Sequence, residues 1–375
     1  MRDAVIVEAV RTPIGKRDGA LSGLHSADIS AHVLNALVER AEIDPACVDD
    51  VVWGCVTQIG EQTFDIARTA VLSAGWPEHV PGVTLDRQCG SSQQAVHFAA
   101  AGVIAGQYDV AVAGGVEMMS RTTMGSNNIP AAFGPAYLRR YDDVVPDQGR
   151  GSEIVADEWG LSRTQLDEYA LRSHERAHAA QQRGAFAAQI VETAGTFLDE
   201  GIRPGGTLEK LATLKTPFKE DGKVSAGNAS QISDGVAALL VTTSEYAAAN
   251  GLRPLARIHT AVVTGAAPMP MLTAPIPATA KALKHSGLSI GDIGAFECNE
   301  AFAPVPLAWL ADTGADPALT NPLGGAIALG HPLGASGARL MTTLVHHMRD
   351  NDVRYGLQTM CEGGGQANAT ILELL

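Results

Sequence analysis

A cysteine lies at a predicted strand-to-helix turn in the first quarter of the chain. Cys89 follows a short strand pattern at residues 82–85 and precedes a helical pattern that contains Ala95, Val96 and Ala99. Unpaired N–H groups and the positive end of a helix dipole favour the thiolate at such a turn, and the thiolate is the nucleophilic form of cysteine. Cys89 is therefore a candidate nucleophile, although a small buried structural cysteine fits this position equally well.

Three residues near the end of the chain could support the chemistry of such a thiol. His331 lies in a Gly-rich turn before a predicted helix, where a neutral imidazole could take the thiol proton or polarise a carbonyl. Asn299 could orient a water molecule or donate to an oxyanion. Cys361 is a second thiol, and it stands before a run of glycines whose backbone can approach a ligand closely. A nucleotide-binding loop is disfavoured, because no P-loop or dinucleotide motif is present.

The other metal-binding and thiol residues favour structural roles. The five cysteines include no CxxC pair, which excludes a disulfide framework and disfavours a zinc cage. Cys47, Cys55 and Cys298 are therefore predicted to pack in the interior. His174 and His178 have the i, i+4 spacing of metal ligands, but a solvated helix face explains them better. We expect no metal site.

The elements that must position these residues alternate along the chain. Strand and helix patterns follow one another in the first and last thirds, which predicts an α/β protein with a largely parallel sheet covered by helices. The predicted strands cover residues 4–7, 51–56, 82–85, 110–113, 257–263, 295–298 and 357–360. The predicted helices of the last third cover residues 278–286 and 337–347.

The two ends of the chain also resemble each other. Residues 49–55 are similar to 291–298, and residues 109–115 are similar to 357–364. In each half a helix and a strand separate two glycines, with 25 residues from Gly90 to Gly115 and 26 from Gly337 to Gly363. This pattern predicts an internal duplication.

The middle of the chain differs from both ends. Residues 120–151 form an excursion rich in Pro, Gly, Asn and Tyr with little periodicity. A capping box beginning at Ser162 then predicts a helix that runs to Gly184. Four of the seven lysines lie between positions 210 and 223, in a segment with a local positive charge. An ordinary solvated surface explains these lysines unless the segment lies beside the cysteines, where an anionic ligand becomes the better explanation.

Composition limits the possible functions. The chain has 375 residues, of which 46% are apolar and 18% charged, so it can bury a large core and form two to three domains. The net charge of -14 disfavours nonspecific binding to nucleic acid or to anionic membrane. No stretch is apolar for the length of a bilayer, and we expect no membrane insertion and a cytoplasmic location.

Taken in order, the motifs resemble those of the thiolases, CoA-dependent enzymes that make or cleave 3-oxoacyl-CoA by Claisen chemistry. The similarity covers nearly the whole chain, and each segment is weak alone while the ordered set is highly specific. The segments that carry it are residues 8–13, 85–95, 114–120, 226–230, 299–302, 330–332 and 361–365.

The resemblance implies a fold and a domain organisation. It implies a duplicated five-layered αβαβα core with an inserted loop domain, assembled as a homodimer or homotetramer. The N-terminal half would cover residues 1–118, the CoA-binding loop domain 119–246 and the C-terminal half 247–375.

The resemblance also implies roles for the candidate residues. Cys89 resembles the acyl-accepting nucleophile, His331 the residue that activates it, and Cys361 the thiol that moves a proton on and off the acetyl-CoA α-carbon. Asn299 resembles the residue that holds a water which, with His331, stabilises the thioester enolate. The N–H groups of Cys89 and Gly363 resemble a second oxyanion hole.

For the substrate, the resemblance implies CoA thioesters and no permanently bound cofactor. Arg203 matches the family's adenine-stacking arginine, and Ser230 matches the serine that contacts pantetheine. Four further positions match residues lining the pantetheine and acyl channel, namely Phe218, Met271, Ala301 and Phe302.

Two segments depart from the short-chain biosynthetic members of the family. Residues 148–153 and 271–275 differ from their patterns, and both border the acyl pocket. We therefore predict a degradative thiolase with a longer or bulkier acyl group, and a short-chain acetoacetyl-CoA thiolase is the alternative. More remote alternatives are a 3-oxoacyl synthase, which needs no second thiol, and a catalytically silent acyl-CoA-binding protein.

Overall fold

The computed structural model describes residues 2–127 and 132–375, so four residues of the predicted excursion, 128–131, lie outside the described chain. The strands are β1 (Val5–Arg11), β2 (Gly15–Lys16), β3 (Asp50–Gly54), β4 (Gly82–Leu85), β5 (Val110–Met118), β6 (Ser233–Thr242), β7 (Ala256–Gly265), β8 (Ala295–Cys298), β9 (Tyr355–Glu362) and β10 (Gln366–Leu374). The helices are α1 (Ser26–Ala41), α2 (Ile66–Ser73), α3 (Ser91–Ala105), α4 (Pro135–Arg140), α5 (Gln148–Glu158), α6 (Arg163–Gln182), α7 (Leu208–Ala212), α8 (Ser244–Ala249), α9 (Pro275–Ser286), α10 (Pro304–Thr313), α11 (Ala326–Leu329) and α12 (Leu333–Asp350).

The sheet consists of two halves with the same strand order. Its strands follow the order β4-β3-β5-β6-β1-β7-β10-β9-β8, and β2 pairs with β6 beside this path. In the first half β3 is parallel to β5, β6 is antiparallel to β5, and β1 is antiparallel to β6. In the second half β8 is parallel to β9, β10 is antiparallel to β9, and β7 is antiparallel to β10. This match confirms the predicted duplication. The prediction of a largely parallel sheet is wrong, because six of the nine strand pairings among the described residues are antiparallel.

Three apolar clusters show how the helices cover the sheet. Helices α3 and α12 lie in the middle of the molecule and pack against strands of both halves. Helices α1 and α2 cover the outer face of the first half, whereas α9 and α10 cover the outer face of the second. The halves meet at β1 and β7 through only two residue pairs, Val5 with Arg257 and Ile6 with Ala256. The arrangement is the predicted five-layered αβαβα core.

The insertion between β5 and β6 carries α4, α5, α6 and α7. Helix α6 begins with the predicted capping box, in which the Ser162 hydroxyl accepts from the Gln165 N–H. Strand β6, which lies within the range predicted for the loop domain, pairs with β5 and β1 in the sheet of the first half. The domain division itself stays a prediction. No described helix has the length and apolarity needed to cross a membrane.

Candidate active site

Cys89 lies in the tight connection between β4 and α3. The residue before it, Gln88, has a φ of 49°, and Gly90 caps the helix, so the chain reverses sharply around the thiol. The Cys89 side chain is buried among Val56, Leu333 and other apolar groups. Burial, together with the negative charge of a neighbouring carboxyl, raises the pKa of Cys89 to about 12. The expected thiolate at the helix N-terminus is therefore not the resting form, because desolvation outweighs the helix dipole.

One ring nitrogen of His331 is hydrogen-bonded to Ser336, and the other faces Asn299. The Ser336 hydroxyl donates to the Pro332 carbonyl at 2.8 Å, so its oxygen can accept a hydrogen bond from His331 Nδ1 at 2.6 Å. This arrangement places the proton on Nδ1 and leaves a lone pair on Nε2, which lies 3.4 Å from Asn299 Nδ2. Burial and the charge of Arg339 lower the pKa of His331 to about 3, so the ring is neutral and can act as a base.

Cys361 lies near the end of β9, where it packs with Met271 and Ala301. Burial and then the charge of Cys89 raise the pKa of Cys361 well above its usual value, so the two thiols interact electrostatically. The hairpin that follows needs glycine, because Gly364 and Gly365 have φ values of 80° and 77°. Among the described residues, the N–H groups of Cys89 and Gly363 donate to no protein acceptor. Both therefore remain able to bind a substrate oxygen.

The packing of the two central helices brings these segments together. The Ala338 N–H of α12 donates to the Ser92 hydroxyl of α3 at 2.8 Å, so the first turns of both helices are adjacent. The buried Glu117 carboxylate accepts from the N–H groups of Val56, Thr57 and Gly334 at 2.9–3.0 Å. This carboxylate links the loop after β3 to the start of α12, beside His331.

Glu300 has a structural role. Its carboxylate accepts from the Tyr169 hydroxyl at 2.9 Å and the Ser173 hydroxyl at 2.6 Å, both from α6. Asn321 Nδ2 donates to it at 3.0 Å. These contacts join the inserted segment to the segment that carries Asn299.

A cavity of about 760 Å³ opens on Cys89. Gly363, Phe218, Met271 and Phe302, four of the predicted site residues, lie on its wall. The rings of Phe218 and Phe302 meet edge to face, with their centroids 6.0 Å apart. Gln148, the first residue of α5, also lies on the wall and directs its side-chain nitrogen to Cys89 Sγ at 4.0 Å.

A second cavity, of about 240 Å³, lies in the inserted segment and is lined by Arg203, Lys210 and His174. The His174 ring accepts a hydrogen bond from the Arg203 N–H at 3.1 Å. The described residues contain no cluster of three or more metal-binding side chains. Lys219 and Lys223 pair with the Asp157 carboxylate, so two of the four clustered lysines are partly neutralised.

The other predicted site residues do not line the two cavities. His331, Asn299, Cys361 and Ala301 are each at most 3% exposed and line neither cavity. Ser230 lines neither cavity, but it lies between Ala229 and Gln231 on the wall of the smaller one. The Ser230 N–H donates to the Ala301 carbonyl at 2.9 Å, which connects the two regions.

The family models for the two halves of thiolases both match this chain. The model described as thiolase, N-terminal domain, covers residues 4–245, and the model described as thiolase, C-terminal domain, covers residues 252–374. The chain belongs to the thiolase family. This thiolase is therefore a CoA-dependent acyltransferase, as predicted, and the reaction class is reversible Claisen cleavage or condensation of 3-oxoacyl-CoA.

Curated relatives match over the full length of the thiolase. A steroid 3-ketoacyl-CoA thiolase of Mycobacterium tuberculosis is 52% identical over 100% of this chain and 95% of its own. The 3-ketoacyl-CoA thiolases of Pectobacterium carotovorum and Escherichia coli are each 44% identical over 100% of both chains.

Sequence reasoning gave no individual role to three residues of the thiolase site. Glu117 lies within the segment 114–120 and Ser336 lies five residues after His331. The role of Glu117 depends on partners that are distant in the chain, and that of Ser336 depends on the local turn. Gln148 was noted only as a departure from other members of the family. Its position at the start of α5 is the signal that could have placed it beside the thiol.

Proposed function

We propose that this thiolase is a degradative 3-oxoacyl-CoA thiolase that accepts a long or bulky acyl group. The observation that carries the proposal is the meeting of two interacting thiols and a neutral histidine at one end of the central helices, beside a cavity of about 760 Å³. One relative is named as a steroid 3-ketoacyl-CoA thiolase, which supports a bulky substrate.

In the first half-reaction Cys89 accepts the acyl group. His331 Nε2 takes the thiol proton, and the sulfur attacks the 3-oxo carbon of the substrate. The bond between C2 and C3 then breaks, and its electron pair forms the acetyl-CoA enolate. Cys361 gives its proton to C2, acetyl-CoA leaves, and the acyl group remains on Cys89 as a thioester.

The second half-reaction returns both thiols to their first state. The Cys361 thiolate takes the proton of an incoming CoA thiol, and the CoA sulfur attacks the thioester carbon. The Cys89 sulfur leaves and recovers the proton from His331. Two thiols are needed because Cys89 is blocked as a thioester while the other moves a proton.

Preorganised donors stabilise the oxyanions of both steps. Asn299, with a water and His331, would bind the enolate oxygen, and the N–H groups of Cys89 and Gly363 would bind the oxygen of the acyl-transfer step. Each such donor is worth about 3 kcal/mol in comparable enzymes.

CoA would extend from the smaller cavity to the larger one as a substrate, with no cofactor bound permanently. Arg203 and Lys210 lie where the nucleotide end would bind, and Ser230 lies between the two cavities. The aromatic pair of Phe218 and Phe302 would line the pantetheine path. Met271 and Ala301 would border the acyl end.

Aromatic rings make the acyl end of the cavity wide and apolar. Phe133, Tyr137 and Tyr141 lie on its wall, with successive ring centroids 4.8 Å apart. Flat rings provide a large apolar contact area for a bulky acyl group. A short-chain acetoacetyl-CoA thiolase, the second candidate, would leave this surface unused.

We also propose a homo-oligomer in the cytoplasm. Phe64, Val83 and Phe98 are 95%, 45% and 51% exposed, and Val83 lies on β4, the edge strand of the first half. An exposed edge strand with apolar neighbours favours pairing with a second copy. The five free cysteines, two of them with proposed catalytic roles, favour a reducing compartment.

The roles of the two thiols are tested by separating the half-reactions. With a 3-oxoacyl-CoA and no free CoA, wild-type protein should gain an acyl group on Cys89, detected by mass spectrometry of the intact chain and its peptides. Cys89→Ala should gain none. Cys361→Ala, in the reverse direction, should still take an acetyl group from acetyl-CoA but should not exchange the α-protons of acetyl-CoA with deuterated water.

The buried Cys298→Ala variant is the matched control and should retain both half-reactions. Acylation of the Cys89→Ala protein, or normal proton exchange by Cys361→Ala, would contradict the assigned roles.

A further inference from the structure

A buried carboxyl group follows Cys361 in the chain and lies against the backbone beside Cys89. Glu362 follows Cys361 at the end of β9 and is 0% exposed. Neither of its carboxyl oxygens meets the geometry of a hydrogen bond among the described residues, although the backbone N–H of Asn368 is close enough to lower the pKa of Glu362. A Cβ atom added to Gly90 would overlap Glu362 Oε1, so the carboxyl lies against the backbone of the residue that follows Cys89. The mechanism proposed above does not use this group.

No cation among the described residues forms an ion pair with this carboxyl. Arg87, from the loop before α3, is the nearby positive charge, but its Nη1 donates to Gln366 at 2.9 Å and it forms no ion pair with Glu362. Asp86 from the same loop adds a second negative charge. A buried carboxylate without a partner is costly, so the group tends to hold its proton.

The remaining neighbours of Glu362 carry no compensating charge. His97 of α3 is neutral, because burial and the charge of Arg87 lower its pKa to about 3. The adjacent strand β10 contributes Asn368, an uncharged amide, which donates to His97 at 3.1 Å. The titratable groups that respond to Glu362 are thus the thiols of Cys89 and Cys361.

We propose that Glu362 controls the ionisation of Cys89: an ionised Glu362 carboxylate opposes the Cys89 thiolate, so the thiolate forms more readily while the carboxyl keeps its proton. Glu362 touches neither substrate nor reacting atoms, and it is a positioning residue. The inference rests on the proposed role of Cys89 as nucleophile.

The pKa values of Glu362 and of Cys89 both support this coupling. Burial raises the pKa of Glu362 to about 8, so the carboxyl is mostly protonated at neutral pH. After burial, the charge of Glu362 is the next cause that raises the pKa of Cys89. At neutral pH Glu362 is protonated and does not raise the pKa of Cys89. At higher pH its negative charge opposes formation of the Cys89 thiolate.

The test is the pH dependence of Cys89 alkylation in the full-length protein. Carbamidomethylation of Cys89 by iodoacetamide is followed by peptide mass spectrometry from pH 6 to pH 10, with no substrate and no turnover. For wild-type protein the logarithm of the rate should rise with pH, with a slope reduced to about one half between about pH 8 and pH 9, where Glu362 ionises.

Glu362→Gln removes the charge and retains the shape. Its rate should match wild type below pH 7 and continue to rise above pH 8. At pH 9 the variant should react about fivefold faster, the ratio that a coupling of about one pKa unit produces. Because the readout is alkylation, it distinguishes failure of this coupling from failure of the proposed catalytic cycle.

Glu297→Gln is the matched control. Glu297 is also buried, on β8, and burial raises its pKa to about 8, yet its charge acts on Cys298 and not on Cys89. This variant should keep the wild-type profile. Superimposable profiles of Glu362→Gln and wild type would overturn the proposal. If Glu362→Gln does not fold, a wild-type rate that rises tenfold per pH unit through pH 10 would overturn it equally.

Discussion

Burial affects all the cysteines of this thiolase, so a raised pKa does not distinguish the proposed catalytic thiols. Desolvation raises the pKa of Cys47 and Cys55 as well as that of Cys89. What distinguishes Cys89 and Cys361 is their surroundings: the pKa of Cys361 responds to the charge of Cys89, and Cys89 lies on the wall of the larger cavity. A nucleophile in this setting depends on transfer of its proton to a nearby base rather than on a low pKa of its own.

The orientation of that base gives the first prediction. Ser336→Ala removes the acceptor of the His331 Nδ1 proton, so the ring can rotate or change tautomer and Nε2 is no longer held as the acceptor. We expect kcat to fall by about 10- to 100-fold, with little change in KM, by comparison with other residues that orient a histidine. Steady-state kinetics with one 3-oxoacyl-CoA measures both constants.

Ser30→Ala is a matched control for this change. Ser30 is also a buried helical serine whose hydroxyl donates to the carbonyl four residues earlier, at 2.7 Å, but it lies in α1. Its variant should keep the wild-type kcat. An unchanged kcat in Ser336→Ala would show that Ser336 does not orient His331.

At the scale of elements, the long strand β6, which is buried on both faces, is absent from the strands predicted from the sequence. All ten residues of β6 are buried, and its alanine and leucine run has no alternation that could separate a strand from a buried helix. Strand β5 was predicted to end at residue 113, but it continues to Met118 through two glycines. Those glycines are required because a Cβ at Gly114 would overlap the Ala237 carbonyl, and one at Gly115 the Gly334 carbonyl.

Helix α4 gives a prediction about acyl selection. Tyr137→Ala removes the central ring of the aromatic surface on the cavity wall. We expect kcat/KM for a ring-bearing 3-oxoacyl-CoA to fall about tenfold, because one aromatic side chain contributes about 1–2 kcal/mol to such a contact. The value for acetoacetyl-CoA, which is too short to fill the cavity, should change less than twofold.

A panel of 3-oxoacyl-CoA substrates of increasing bulk measures this selection. Arg139→Ala, at an exposed position of the same helix that does not line the cavity, is the control and should leave all values unchanged. A wild-type optimum at acetoacetyl-CoA would contradict the proposed preference for bulky acyl groups.

At the scale of the whole molecule, buried titratable groups should produce a stability maximum near neutral pH. Burial lowers the pKa of four histidines to about 3 or 4, so below about pH 6.5 the unfolded chain binds protons that the folded chain does not. Burial raises the pKa of Glu297 and Glu362 to about 8, so above pH 4.5 the folded chain holds protons that the unfolded chain releases. The four histidines are His97, His174, His331 and His346.

The histidines and the carboxyls change the free energy of unfolding in opposite directions as pH rises, and the two effects are equal near pH 6.5. At pH 5.5 the histidines dominate, and the free energy of unfolding should increase by about 2 kcal/mol per pH unit. Above pH 7 the carboxyls dominate, and stability should decrease until they are ionised. Thermal melting from pH 5 to pH 9 measures this curve, and the double variant Glu297→Gln, Glu362→Gln should lose most of the alkaline decrease. A melting temperature that rises steadily to pH 9 would contradict the prediction.

The sequence by itself determined the family and the duplicated α/β core, and it identified the residues that we propose carry the chemistry. Short motifs such as those around Cys89, His331 and Cys361 are readable without a structure, because side-chain type, glycine content and order along the chain are local properties. The helix with a capping box at Ser162 was predictable for the same reason.

Only the tertiary structure decided how those residues behave. Ser336 holds the ring of His331 through a local contact, and burial keeps that ring neutral. The unionised Cys89 near Gln148 and the buried Glu362 against Gly90 depend on partners from distant parts of the chain. Desolvation and charge act through space over a few ångströms, and the groups concerned lie as much as 272 positions apart, from Gly90 to Glu362. Local sequence patterns therefore identify the chemical groups, whereas the fold sets their protonation.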